Sequence, residues 1–219
     1  MWTIVRKDLA IELRTGEMAS SMFLLALLII IVFAFTLEPE RLVAPEFLAG
    51  LSWTTLLVAG TLALNRSFVL EREAGGLTGL ALAPIDRGSI YLGKAIGNFL
   101  LLLVAGFVLL PLIAILLGTR GLSPTWLLPG VVVLGVAGIT AIGTLCAAIA
   151  SRTRAREVLL PILMFPLLAP LLIAATRTTA GALVGESASD LQSWLLMLGG
   201  FDIVFATAGW LSFDFLLEE

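Results

Sequence analysis

A chain of 219 residues with 59% hydrophobic and 13% charged residues and a mean hydropathy of +1.08 is too apolar for a water-soluble globule and reads as an integral membrane protein. The absence of histidine removes the usual haem and zinc ligand and the usual near-neutral proton shuttle, while one cysteine, Cys146, excludes an intrachain disulfide and a cysteine-rich metal site. The net charge of -3 says little about partners, because orientation in a membrane follows the placement of lysine and arginine.

Residues 1–17 place Trp2, Val5, Leu9 and Leu13 at spacings of 3 and 4, with Arg6, Lys7, Asp8, Glu12 and Arg14 largely on the other side. This pattern predicts an amphipathic helix lying in the membrane interface and anchored by Trp2, or else a lengthening of the first span. The first span is expected at Met18 to Leu37, about 20 residues, which at about 1.5 Å per residue matches a hydrocarbon core of about 30 Å. It lacks a following small-residue cleavage pattern and is expected to be retained. A second span is expected at Phe47 to Leu64, carrying Trp53 among small and threonine residues that permit close helix contacts.

Residues 65–94 form the one long hydrophilic interruption, with Arg66, Glu71, Arg72, Glu73, Asp86 and Arg87 beside Phe68, Leu77, Leu80 and Leu82. Charges of both signs among apolar residues suit docking onto another protein, and they suit a solvated connector as well. Asn65 to Ala74 predicts a short helix along the membrane surface, broken by Gly75-Gly76, with Asp86 as N-cap of the next helix beyond Pro84.

A third span is expected from Ile90 to Gly118, with Gly93 and Gly97 allowing close approach and Pro111 kinking it. The fourth, from Trp126 to Ala150, carries Gly135, Gly138 and Gly143 and should pack inside the bundle. The fifth, from Val158 to Ala175, holds Pro161, Pro166 and Pro170, which predicts a distorted helix placed within the bundle rather than against lipid. Residues 176–193 read as a polar outer connection. The last apolar run begins near Trp194, and Gly199-Gly200 predicts a half-spanning piece ahead of a sixth span. Asp202 then has two readings: an N-cap at that break, or an intramembrane carboxylate with a transport role.

Lysine and arginine number 3 in the N-terminal segment, 4 in residues 65–94 and 3 in residues 151–157, against 1 in each of the other three connections. The positive-inside rule thus puts both termini and the long loop in the cytosol. The expected fold class is all-α: one polytopic membrane domain over 1–219, six transmembrane helices, an interfacial helix at 1–17 and a cytosolic coupling loop at 65–94.

No phosphate-binding loop, H-E-x-x-H, G-x-S-x-G or C-x-x-C-H motif is present, which argues against an enzyme, and no basic patch with interleaved aromatics points to nucleic acid. No catalytic or metal-binding residue is assigned, and no cofactor is expected on this chain. The segment from Leu64 to Lys94, with its Asn65-Arg66 to Glu71-Arg72-Glu73 and Ala83-Pro84 to Lys94 stretches, together with Val158 to Thr176, resembles the cytochrome c maturation protein B family of haem exporter permease subunits. The resemblance runs over essentially the whole chain.

It implies an ABC-2 type permease in the inner membrane, working as two identical chains with two copies of a cytosolic ATPase subunit that holds the ATP. It further implies that Arg66, Glu71, Arg72, Glu73, Asp86 and Arg87 dock a coupling helix onto that ATPase. The other implied partners are a membrane haem-handling protein, a small single-span subunit and a periplasmic haem chaperone. Haem is either the cargo or a group held by those partners during ATP-driven release of the loaded chaperone. An exporter of lipid, glycan or drug, an ion-driven carrier and an assembly scaffold are the rival readings.

Overall fold

The computed structural model describes residues 1–37, 43–73, 87–117, 123, 125–151, 153 and 156–216. Its elements are α1 (Trp2–Thr15), α2 (Glu17–Thr36), α3 (Pro45–Glu73), α4 (Arg87–Leu116), α5 (Leu127–Ser151), α6 (Arg156–Val184) and α7 (Gln192–Leu216). Among the described residues six helices, α2 to α7, are long and apolar enough to cross a membrane, so the chain is an all-α, multi-pass membrane protein.

One glycine separates the short helix from the first span. Gly16 adopts φ 61°, a left-handed conformation that favours a residue without Cβ, and its N–H closes α1 on Glu12 O at 2.7 Å. The same residue is the N-cap of α2 but has no side chain with which to cap it. α2 buries Met18, Met22, Ala26 and Ile30, a stripe at four-residue spacing, and packs mainly on α3.

α3 and α5 are the most enclosed helices of the bundle, and α5 contacts α3, α4, α6 and α7. Its glycines work as the sequence implies: Gly135 receives the Trp53 ring, Gly138 faces Leu171 and Asp202, and Gly143 faces Leu64 and Met164. Without Cβ atoms at these points, side chains from α3, α6 and α7 reach the α5 backbone.

Four expectations need correction. Residues 65–73 are not a separate surface helix: they continue α3, whose 29 residues span about 43 Å against a hydrocarbon core of about 30 Å. Polarity changes near Asn65, but no residue there breaks a helix. Gly75-Gly76, Pro84 and Asp86 lie outside the described residues, and with them the expected helix break and N-cap.

Residues 176–184 are likewise helical, extending α6 beyond the expected fifth span. Thr178 Oγ1 donates back to Ala174 O at 2.6 Å, and Thr179 Oγ1 accepts from Trp53 Nε1 at 2.9 Å, so these polar residues are satisfied within a helix. Gly185, at φ 88°, marks the turn beyond Val184.

α6 also runs through all three prolines, and Pro166 and Pro170 lie on its exposed side rather than inside the bundle. The inward face is instead formed by Leu160, Met164, Leu168, Leu171 and Ala175, whose spacing of three and four makes one continuous packing stripe. Finally, α7 is unbroken at Gly199-Gly200, so there is no half-spanning piece and Asp202 is not an N-cap. Each glycine costs about 1 kcal/mol relative to alanine in a helix, less than leaving peptide groups unsatisfied in lipid.

Candidate functional site

The polar contacts of the bundle gather at two depths. The first is a junction where α1 meets the ends of α2, α3 and α4. Lys94, about two turns into α4, is 3% exposed, and a cation so enclosed requires a counter-charge. Asp8 of α1 supplies it, with Oδ2 3.0 Å from Lys94 Nζ. Lys94 also donates to the backbone oxygen of Ser67 on α3 at 3.3 Å. One ammonium group therefore ties α1, α3 and α4 together, at both edges of the 65–94 segment.

Glu12 completes the junction. Its carboxylate accepts from the Ala19 N–H at 2.8 Å and the Met18 N–H at 3.3 Å, at the start of α2, where Gly16 offers no cap of its own. A negative charge there also complements the positive end of the helix dipole. On the outside, Arg66 pairs with Glu17, both about half exposed, an interaction worth about 0–1 kcal/mol.

Close approach of α1 is built into α4. A Cβ on Gly93 would lie 3.1 Å from Ile4 Cβ and 3.2 Å from Met1 O, while Gly97 faces Asp8. The pair Gly93 and Gly97 thus accommodates α1, with Lys94 between them. The amphipathic pattern places Asp8 and Glu12 on the outward side, but the structure turns both inward beside Ile4 and Val5. The inward face is thus apolar with two acids, each matched to a donor on another helix.

Of the residues expected to dock a partner, Arg66 lies at this junction. Glu71, Arg72 and Glu73 form the last turn of α3 and Arg87 opens α4, so these positions flank residues 74–86, while Asp86 lies outside the described residues. The sequence reading missed Asp8, Glu12, Glu17 and Lys94 as a group. Its one available signal was a lysine between two glycines four apart, close to an N-terminal helix carrying acids.

The second depth is the middle of the bundle. Asp202 lies ten residues into α7, and both carboxylate oxygens are buried without a hydrogen-bond partner. A Cβ on Gly138 would come within 2.7 Å of Asp202 Oδ1, so the absent side chain leaves the space that the carboxylate fills. Elsewhere in the bundle Asn98 Nδ2 donates to Thr144 Oγ1 at 3.1 Å and Tyr91 donates to Ala141 O at 2.9 Å, whereas Thr55 Oγ1, like the Asp202 carboxylate, is buried without a hydrogen-bond partner among the described residues. A groove between α3, α4 and α5, lined by Ser52, Trp53, Leu56, Gly106, Leu109 and Val132, has an empty volume of about 230 Å³.

On the far side of the bundle, the turn before α7 is held by a reciprocal pair. Asp190 Oδ2 accepts from Ser187 Oγ at 2.6 Å and from the Ser187 N–H at 3.2 Å. These hydrogen bonds, the side-chain one first, hold the Asp190 carboxyl below its ordinary value. The strand of chain before α5 is tied to the same region, since Ser123 N–H and Thr125 N–H donate to Leu183 O and Ala182 O.

The chain is 28% identical over 173 residues to heme exporter protein B of Rhodobacter capsulatus, covering 79% of each chain. It is 28% identical over 186 residues to heme exporter protein B of Paracoccus denitrificans, covering 83% of this chain and 85% of that one. The protein of the same name from Escherichia coli K12 is 29% identical over 100 residues, 45% of each chain. The family described as CcmB protein matches residues 1–215, and the chain belongs to that family.

Proposed function

We propose that this chain is the permease subunit of an ATP-driven exporter in cytochrome c biogenesis, located in the inner membrane with both termini in the cytosol. It works as a pair of identical chains with two copies of a separate ATPase subunit, which binds and hydrolyses the ATP. Haem is the cargo, or it is held by partner proteins whose release the same ATP-driven motion powers. The partners are a membrane haem-handling protein, a small single-span subunit and a haem chaperone on the opposite side.

The observation that carries this reading is the junction of Lys94 with Asp8 and Ser67 at the base of the 65–94 segment. A coupling segment is useful only if a push on it reaches the spans. Here its two flanks share one buried ammonium, which is bonded to α1, and α1 in turn caps α2 through Glu12. Arg66, Glu71, Arg72, Glu73, Asp86 and Arg87 are the docking groups. ATP-driven closure of the ATPase pair displaces them together with the ends of α2, α3 and α4, and so favours one of two states of the membrane domain.

The test is to purify the tagged chain from its native membrane in mild detergent, identify what accompanies it, and assay ATP hydrolysis and bound haem. A stoichiometric ATPase with haem-handling partners is the expected result. An ATPase accompanied by lipid-pathway proteins, with cytochrome c formation unaffected by deletion of the chain, would make it an exporter of another cargo. Transport that persists without any ATPase would make it an ion-driven carrier, and function with an ATPase unable to hydrolyse ATP would make it a scaffold.

A further inference from the structure

The charges of α1 are sorted by sign. Its two acids, Asp8 and Glu12, are turned inward and engaged, one by Lys94 and one by the backbone of α2. Glu17, just beyond, is paired with Arg66, and Lys7 with Asp8. Arg6 and Arg14 are exposed and make no ion pair among the described residues. The outward surface of α1 therefore presents cations whose acidic neighbours are committed elsewhere.

Along one edge of the same helix run Trp2, Arg6, Leu9 and Leu13, at spacings of four, three and four. Trp2 is 62% and Leu13 87% exposed, so this chain leaves the edge uncovered. An exposed apolar edge with an arginine inside it, on a helix leading directly into a membrane span, fits the boundary of headgroups and acyl chains.

We infer that α1 is a binding element for anionic phospholipid: Trp2, Leu9 and Leu13 enter the headgroup boundary while Arg6 and Arg14 take lipid phosphates. The site needs a negatively charged headgroup because, among the described residues, two arginines are offered without a paired acid, and a zwitterionic surface does not concentrate them. Through Asp8 to Lys94 and Glu12 to α2, lipid bound here steadies the ends of α2, α3 and α4. The inference rests on the membrane architecture alone and holds whatever the cargo is.

The experiment uses the intact complex in phosphatidylcholine bilayers, comparing acyl-brominated phosphatidylglycerol with acyl-brominated phosphatidylcholine at equal mole fraction. The Trp2 contribution is the emission lost in the Trp2→Phe variant. Brominated phosphatidylglycerol should quench that contribution several-fold more efficiently, and Arg6→Gln with Arg14→Gln should bring the two lipids to parity, since each basic residue at an anionic surface is worth about a fivefold preference. Equal quenching in the native chain overturns the inference, as does a preference that survives both substitutions. Quenching by neither lipid also overturns it, showing that another subunit covers this edge.

Discussion

Asp8 Oδ2 lies 3.0 Å from Lys94 Nζ, joining the N-terminal helix to the helix that leaves the hydrophilic segment. Because Lys94 is enclosed, its charge depends on partners such as Asp8 and the Ser67 carbonyl. Removing one partner of such a pair costs about 3–5 kcal/mol, whereas removing both costs less. Asp8→Asn is therefore expected to lower the detergent-solution midpoint of unfolding more than Asp8→Asn combined with Lys94→Met. Additive effects in that double-mutant cycle would show that the two groups do not interact.

Glu12 acts on the start of α2 through two backbone N–H groups. Glu12→Ala should cost about 1–2 kcal/mol, in the range for loss of a helix cap, and should leave α2 intact beyond its first turn. Hydrogen exchange is the direct check: the Met18 and Ala19 amides should exchange faster, while those of Ile29 and Ile30 should not change.

Gly138→Ala places a methyl group 2.7 Å from Asp202 Oδ1 and 2.5 Å from Leu171 Cδ1. Overpacking of this kind costs about 1–3 kcal/mol. Adding Asp202→Ala removes one of the two collisions, so the double variant should be less destabilised than the sum of the singles. Thermal unfolding in detergent measures this, and strict additivity would mean that the two positions are not in contact.

The number of spans was legible because hydropathy alone fixes it, and the role of the α5 glycines followed from their lack of side chains. Other features misled for physical reasons. Gly199-Gly200 and the three prolines are breakers in water, yet lipid offers peptide groups no alternative partner, so α6 and α7 continue through them. Thr176, Thr178 and Thr179 look like loop residues, but two of their hydroxyls are satisfied within or between helices. The Lys94 junction was hidden because Asp8 and Glu12, read as acids on an amphipathic helix, belong to its outward face. Only the buried lysine and bare N–H groups on other helices turn them inward.

On the opposite side, the Asp190 carboxyl is held below its ordinary 3.8 mainly by the Ser187 hydroxyl. A depressed value means that this carboxylate's contribution to the turn is fully present above its unfolded value and is lost as pH falls through the folded one. Ser187→Ala should move the Asp190 titration upward toward 3.8, as followed by carbon NMR of labelled aspartate. No movement would mean that the hydroxyl does not set the carboxyl's titration.

The central claim, that a push on residues 65–94 reaches the spans through Lys94, is tested most directly by exchanging the two charges. Asp8→Lys and Lys94→Asp should each lower cytochrome c formation and ATP hydrolysis by the complex by tenfold or more, while the exchanged pair should recover a substantial part of both, with assembly checked by co-purification of the ATPase. If either single variant assembles, hydrolyses ATP and supports cytochrome c formation at the native level, the junction does not transmit the motion.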